Sequence, residues 1–200
     1  YDFAEKVLGK KMGNIRSFIA VGIAPVICSA AHKQIRELQK STTGYRWVDT
    51  KNMHLTLKFL GNVLDREIPD VCRTIERAMK GQSIFDIGFR GIGAFPSVDR
   101  PRVLWMGIED YEGRFAELSR KLDAALAEMG FQPEKRDFKA HLTLGRAEEV
   151  PQPSQALADY FTKNADVEFG SMEIDEIVLF SSFTDKYGTT HTPMATIELE

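Results

Sequence analysis

The tetrapeptide His-Leu-Thr-Leu occurs twice, at His54 to Leu57 and at His141 to Leu144, and the two copies use two of the chain's four histidines. In an extended segment successive side chains point to opposite faces. His54 and Thr56 therefore share one face of a strand and Leu55 and Leu57 the other, and His141 and Thr143 repeat the arrangement with Leu142 and Leu144 behind them. A lone His-x-Thr in an alternating run reads as an ordinary buried strand. Two identical copies in a histidine-poor chain read instead as a pair of reactive strands. Their separation is too long for a local motif and fits two related lobes facing each other.

With 200 residues, 43% of them hydrophobic, the chain has room for one compact domain or for two small lobes sharing an interface. Cys28 and Cys72 form no Cys-x-x-Cys pair and stand in no cluster of metal ligands, so they read as small core residues in a reducing compartment. A net charge of −3, from 26 basic and 29 acidic residues, argues against a protein that coats nucleic acid through a broad basic surface, and leaves a local basic cleft open. No apolar run is long enough to span a bilayer, and residues 1–12 carry no signal-peptide pattern. The expectation is a soluble cytoplasmic monomer with no membrane partner, residues 1–12 forming a disordered extension and residues 13–200 the single domain.

Ile15 to Ile23 is strand-like and is broken by Ala24-Pro25. A helix follows with Ile27, Ala31, Ile35 and Leu38 on one stripe. A second helix is expected from Glu67 to Lys80, burying Val71, Ile75 and Met79 and closed by Gly81. A third runs from Glu112 to Met129 on the stripe Phe115, Leu118, Leu122, Leu126 and Met129. Between these, strands are expected at Ile84 to Ile92 and Arg102 to Ile108, joined by a turn-rich loop from Gly93 to Pro101. Pro151 to Pro153 opens a short helix, and the C-terminal part reads as strands from Val167 to Phe183 and Met194 to Leu199, with a loop at Thr184 to Thr192. The order implies an α+β fold of largely antiparallel sheets with helices outside.

Two imidazoles with a reference pKa of about 6.5 can divide one reaction, one accepting a proton while the other donates. Opening a cyclic phosphate needs that division. One histidine would deprotonate the attacking water and the other, in line on the far side, would protonate the departing ribose oxygen, while Thr56 and Thr143 hydrogen-bond the non-bridging oxygens. No metal or other cofactor is needed. A metal site would require further ligands, and neither motif has a His, Cys or carboxylate beside it on its reactive face. A Ser-His-Asp hydrolase fits poorly, since there is no Gly-x-Ser-x-Gly elbow and one histidine would be idle.

The two His-x-Thr-x strands resemble the signature of the 2H phosphoesterases, and the wider chain resembles the RNA 2′,3′-cyclic phosphodiesterases once described as 2′-5′ RNA ligases. The resemblance rests on Arg16 to Val21, on Arg46-Trp47-Val48, and on Asn52-Met-His-Leu-Thr-Leu-Lys-Phe-Leu-Gly61. It continues through Phe95-Pro-Ser, Pro101 to Trp105 and Phe138-Lys-Ala-His-Leu-Thr-Leu-Gly-Arg146. It implies a bilobal fold with the motifs facing across a central cleft, and metal-independent hydrolysis of a terminal 2′,3′-cyclic phosphate, on RNA ends or nucleoside cyclic phosphates, to a 2′-phosphate. It further implies His54 as proton donor to the leaving 3′ oxygen, His141 as base for water, Arg146 as a phosphate ligand and Phe59 as an aromatic on the base-binding side. The residues alone do not say which histidine does which.

Strict alternation from His141 turns Arg146 away from the reactive face, so the arginine reaches a cleft only if the strand bulges, for which Gly145 is suited. The same alternation puts Lys58 on the His54 face, as a phosphate ligand or a surface lysine. Arg100 and Arg102 read as RNA contacts or a charged turn, Trp47 and Trp105 as stacking platforms or core, and His32 as an idle surface residue. His191 falls in the late loop, where the family pattern often has tyrosine. Two further functions fit the same motifs: 2′-5′ RNA ligation by the reverse chemistry, and a nucleotide- or RNA-binding module without turnover.

Overall fold

The computed structural model describes residues 13–134, 138–151, 154–186 and 188–200. The expected extension at residues 1–12 lies outside these, as do Gln152 and Pro153 of the expected helix opening. The helical stripes form as their spacing predicts. Helix α1 (Pro25–Ser41) starts on its proline and buries Ile27, Ala31, Ile35 and Leu38. Helix α2 (Ile68–Met79) buries Val71, Ile75 and Met79, and α3 (Arg114–Ala127) buries Phe115, Leu118, Leu122 and Leu126. Met129 lies past the end of α3 and is exposed. Helix α4 (Gln155–Lys163) is capped by the Ser154 hydroxyl, which accepts from the Leu157 amide.

The strands are β1 (Asn14–Gly22), β2 (Tyr45–Trp47), β3 (His54–Leu64), β4 (Phe85–Ser97), β5 (Arg100–Glu109), β6 (His141–Ala147), β7 (Glu168–Ile174), β8 (Glu176–Asp185) and β9 (Gly188–Glu198). They form two antiparallel sheets ordered β3-β1-β8-β9 and β2-β6-β5-β4-β7. The order β3-β1-β8-β9 has a counterpart in β6-β5-β4-β7, with β2 added beside β6. Each sheet carries one His-x-Thr strand, and β3 and β6 approach each other between the sheets.

The two lobes are built from interleaved parts of the chain rather than from its successive halves. Strand β2, from the first half, pairs with β6, while β8 and β9 complete the sheet begun by β1 and β3. The helices cross over likewise: α3 packs on β3 and α2 on β9, whereas α1 packs on β6 and β7 and α4 on β4. One hydrophobic cluster runs through both lobes, from Ile19 and Leu55 to Leu104, Leu142 and Leu144.

Two expected loops are strand. The segment from Gly93 to Pro101 is a tight hairpin, with β4 continuing to Ser97 and β5 starting at Arg100. Its prolines are tolerated because Pro96 and Pro101 sit opposite each other at the hairpin's end, beyond the stretches of β4 and β5 that pair with β7 and β6. The expected loop at Thr184 to Thr192 is the β8–β9 turn with the start of β9, where Thr184 pairs with Thr189 and Ser182 with His191. Threonine-rich polar alternation is what a half-solvated strand uses.

Candidate active site

Both motif strands bulge at the same place. Along β3, Thr56 pairs with Ala20 and Lys58 with Ile19, so Leu57 is the extra residue; along β6, Thr143 pairs with Trp105 and Gly145 with Leu104, so Leu144 is the extra one. An inserted residue reverses the face of everything after it. Leu57 and Lys58 are consecutively buried, as are Leu144 and Gly145, and the next residues, Phe59 and Arg146, emerge on the side of His54 and His141. The predicted bulge at Gly145 is present.

The same bulge corrects the reading of Lys58. It is turned to the back of the sheet, 6% exposed, where its ammonium pairs with Asp123 of α3 and donates to the Gln132 carbonyl at 3.0 Å. It is neither a cleft ligand nor a surface lysine. At the equivalent position of the second motif, Gly145 lies under the Trp47 indole, and a Cβ there would stand 2.8 Å from the ring.

The two imidazoles are held identically. Nδ1 of His54 lies 2.7 Å from the Asn52 carbonyl, and Nδ1 of His141 lies 2.7 Å from the Lys139 carbonyl. A carbonyl can only accept, so each Nδ1 carries a proton and each neutral ring presents Nε2 as its basic nitrogen. The Asn52 side chain in turn donates to the Thr189 carbonyl at 2.7 Å, tying the turn before β3 to β9.

Their surroundings differ. His54 is packed in rings: Phe18 at 4.7 Å, His191 edge-on at 5.1 Å and Phe180 at 6.5 Å between centroids. His141 meets Phe95 edge-on at 4.9 Å. Burial, joined by the charges of His191, Arg146 and His141, pushes His54 down to about 4 against the pull of its carbonyl bond. Burial also lowers His141, with Arg146 adding to the effect, and burial draws down Arg146 itself. The charge of Arg146 thus bears on both histidines.

The other expected residues fall as follows. Thr56 and Thr143 are half-buried on the faces of their histidines. Phe59 is 61% exposed, its ring 6.2 Å from Phe18. Trp47 packs against the core and Tyr45. Trp105 pairs with Thr143, which puts it on the cleft face, 5.2 Å from Phe95, with its indole nitrogen buried and unpartnered. Arg100 and Arg102 are exposed at the β4–β5 hairpin, and His32 is exposed on α1. His191 is not in a loop: it stands on β9 against Phe18 at 4.8 Å and against His54. Sequence reasoning missed Asn52 as the residue joining His54 to β9. Its position two residues before the histidine, within reach of the ring's Nδ1, was the available signal. Among the described residues, no group of three or more His, Cys, Asp or Glu is placed to hold a metal ion.

The family model described as LigT-like phosphoesterase matches residues 26–105 and 108–190. A protein of Methanothermobacter thermautotrophicus named RNA 2′,3′-cyclic phosphodiesterase is 32% identical over 185 residues, covering 92% of this chain and 99% of its own. One of the same name from Archaeoglobus fulgidus is 32% identical over 184 residues, covering 92% and 100%. Among solved structures, one from Thermus thermophilus superposes with a TM-score of 0.78 at 26% identity, covering 92% of this chain and 98% of its own. Escherichia coli LigT complexed with 3′-AMP superposes with a TM-score of 0.72 at 25% identity, covering 93% and 98%. With the doubled motif, the two-sheet fold and these matches in agreement, the chain belongs to the LigT-like phosphoesterases of the 2H superfamily.

Proposed function

We propose that the chain hydrolyses terminal 2′,3′-cyclic phosphates of RNA, or nucleoside 2′,3′-cyclic phosphates, to 2′-phosphomonoesters by acid and base catalysis at His54 and His141. The observation that carries this reading is the matched pair of imidazoles, each fixed through Nδ1 to a backbone carbonyl with Nε2 left for chemistry. The relatives named RNA 2′,3′-cyclic phosphodiesterase supply the substrate class.

In the proposed reaction Nε2 of His141 takes a proton from water as the water oxygen bonds to phosphorus. The bond from phosphorus to O3′ breaks, and protonated His54 delivers its Nε2 proton to O3′, leaving a free 3′-hydroxyl and a 2′-phosphate. Thr56 and Thr143 donate to the non-bridging oxygens, and Arg146, beyond its bulge, offers a charged donor to the same group. Phe59 provides an exposed ring on which a base can stack. The chemistry asks no metal to activate the water.

Because His54 is pushed down to about 4 in the free cleft, it is uncharged at neutral pH before substrate arrives. A phosphodiester anion seated beside Arg146 offsets the positive charges that oppose protonation of His54. Substrate binding thereby brings in the proton that the leaving group needs.

The test is hydrolysis of a short RNA ending in a 2′,3′-cyclic phosphate, in EDTA, by the wild type and by His54→Ala and His141→Ala. Formation of a 2′-phosphate with a loss on the order of a hundredfold or more in each variant is expected. Turnover surviving loss of either histidine, or abolished by EDTA, would overturn the mechanism.

A further inference from the structure

The mechanism above uses two imidazoles, yet the structure packs a third against one of them. His191 reaches the site from β9, the last strand in the sheet of His54, and its ring stands nearly perpendicular to both neighbours: Phe18 at 4.8 Å and 76°, His54 at 5.1 Å and 89°. Its Nδ1 is buried with no hydrogen-bond partner. A buried N–H without an acceptor is costly, so in the neutral ring the proton sits on Nε2. That is the opposite tautomer to His54, whose Nδ1 proton is held by Asn52.

The placement of His191 is fixed by the same residue that fixes His54. The Asn52 side chain holds the Thr189 carbonyl, two residues before His191, while the Asn52 backbone carbonyl holds the His54 ring. The pair of imidazoles is therefore set as a unit. In the other lobe His141 has an edge contact with Phe95, which carries no charge.

We propose that His191 is a positioning residue for His54: a second imidazole packed across the first and set with it by Asn52, so that a proton on one ring opposes a proton on the other. The inference rests on the two-histidine reading of the site and assigns the partner that makes its acid distinct from its base. On acidification, whichever ring takes the first proton opposes the second, so the two titrate as a coupled pair. The groups that bear on the pair come from every packed element. Strand β1 brings uncharged Phe18, β8 uncharged Phe180 and Ser182, and the turn before β3 uncharged Asn52, while β6 brings the charges of Arg146 and His141 across the cleft. Burial is the main cause of the low proton affinity of His54, and among the charges that add to it that of His191 acts most strongly.

The test is an imidazole titration by nuclear magnetic resonance on the full chain, comparing wild type, His191→Gln and His191→Phe. Gln removes the charge and keeps a polar side chain; Phe removes the charge and keeps a ring against Phe18. The expected result is an upward move of the His54 midpoint by about half a pH unit or more in His191→Gln, with the His141 midpoint moved far less. A dispersed wild-type-like spectrum in either variant establishes that it folds, and the folded variant decides. The acid limb of the kcat/KM profile should move in the same direction as the His54 midpoint. An unmoved His54 midpoint in the folded variants would overturn the assignment. The titration needs no turnover, so it can fail while cyclic phosphate hydrolysis stands, or succeed where hydrolysis is absent.

Discussion

Phe59 and Arg146 occupy equivalent positions, each five residues beyond its motif histidine and each turned onto that histidine's face by a single extra residue, Leu57 or Leu144. The pseudo-symmetry of the two lobes thus reaches past the shared tetrapeptide to the residues that differ. One lobe places an aromatic ring there and the other a guanidinium. In the proposed reaction that asymmetry separates base binding from phosphate binding.

The two positions should therefore fail differently. Arg146→Ala should lower kcat by about 10²- to 10³-fold, the scale of losing a charged donor to a developing oxyanion. Phe59→Ala should raise KM by about tenfold or more, since stacking is worth ~1–3 kcal/mol per base, with a smaller change in kcat. Steady-state kinetics on a dinucleotide cyclic phosphate checks both. An Arg146→Ala variant whose only defect is in KM would sink the distinction.

Gly145 lets the Trp47 indole lie directly over β6. A Cβ there would meet the Trp47 ring at 2.8 Å, and Trp47 is held by the pairing of β2 with β6. Gly145→Ala should destabilise the fold by about 1–3 kcal/mol through overpacking. Urea unfolding measures the loss, and Trp47→Leu in the same chain should recover part of it, since the two residues are in contact. An unaltered midpoint in Gly145→Ala would mean that the indole is free to move.

The helices were legible in the sequence because their stripes are long and local: Ile27, Ala31, Ile35 and Leu38 are buried as spaced. The reactive strands were legible because the motif is short, doubled and rich in chemistry. Lys58 was misread because strict alternation assumes an uninterrupted ladder, and the inserted Leu57 carries no composition of its own. The strand role of Thr189 to Thr192 was hidden by polar residues that look like a loop until β8 is beside them. The interleaving of lobes was invisible because β2 is three residues long and its partner is β6, far along the chain.

Lys58 and Asp123 join β3 to α3 behind the site, the ammonium almost fully enclosed and the carboxylate partly so. Removing Asp123 leaves a charge buried without its partner, so Asp123→Ala should cost about 3–5 kcal/mol. Lys58→Met replaces the ammonium by an apolar chain of similar length and should cost clearly less, despite the lost bond to the Gln132 carbonyl. Chemical denaturation of the two variants gives the order. If Lys58→Met were the more damaging, the pair would be a net source of stability and not a pinned charge.

The low proton affinity of His54 also links stability to pH. An unfolded histidine binds its proton near 6.5, whereas burial in the native cleft delays this for His54 until about 4. Between those values the unfolded chain holds more protons than the folded one, so stability falls as pH falls through the window. His141 and His191, both lowered by burial, add slope of the same sign. His54→Gln removes one of the three contributions. Urea unfolding at several pH values from 7 to 4 should show a shallower decline in that variant than in the wild type. Parallel curves would mean that the native cleft does not resist protonation of His54, and the coupling of proton uptake to substrate binding would fall with it.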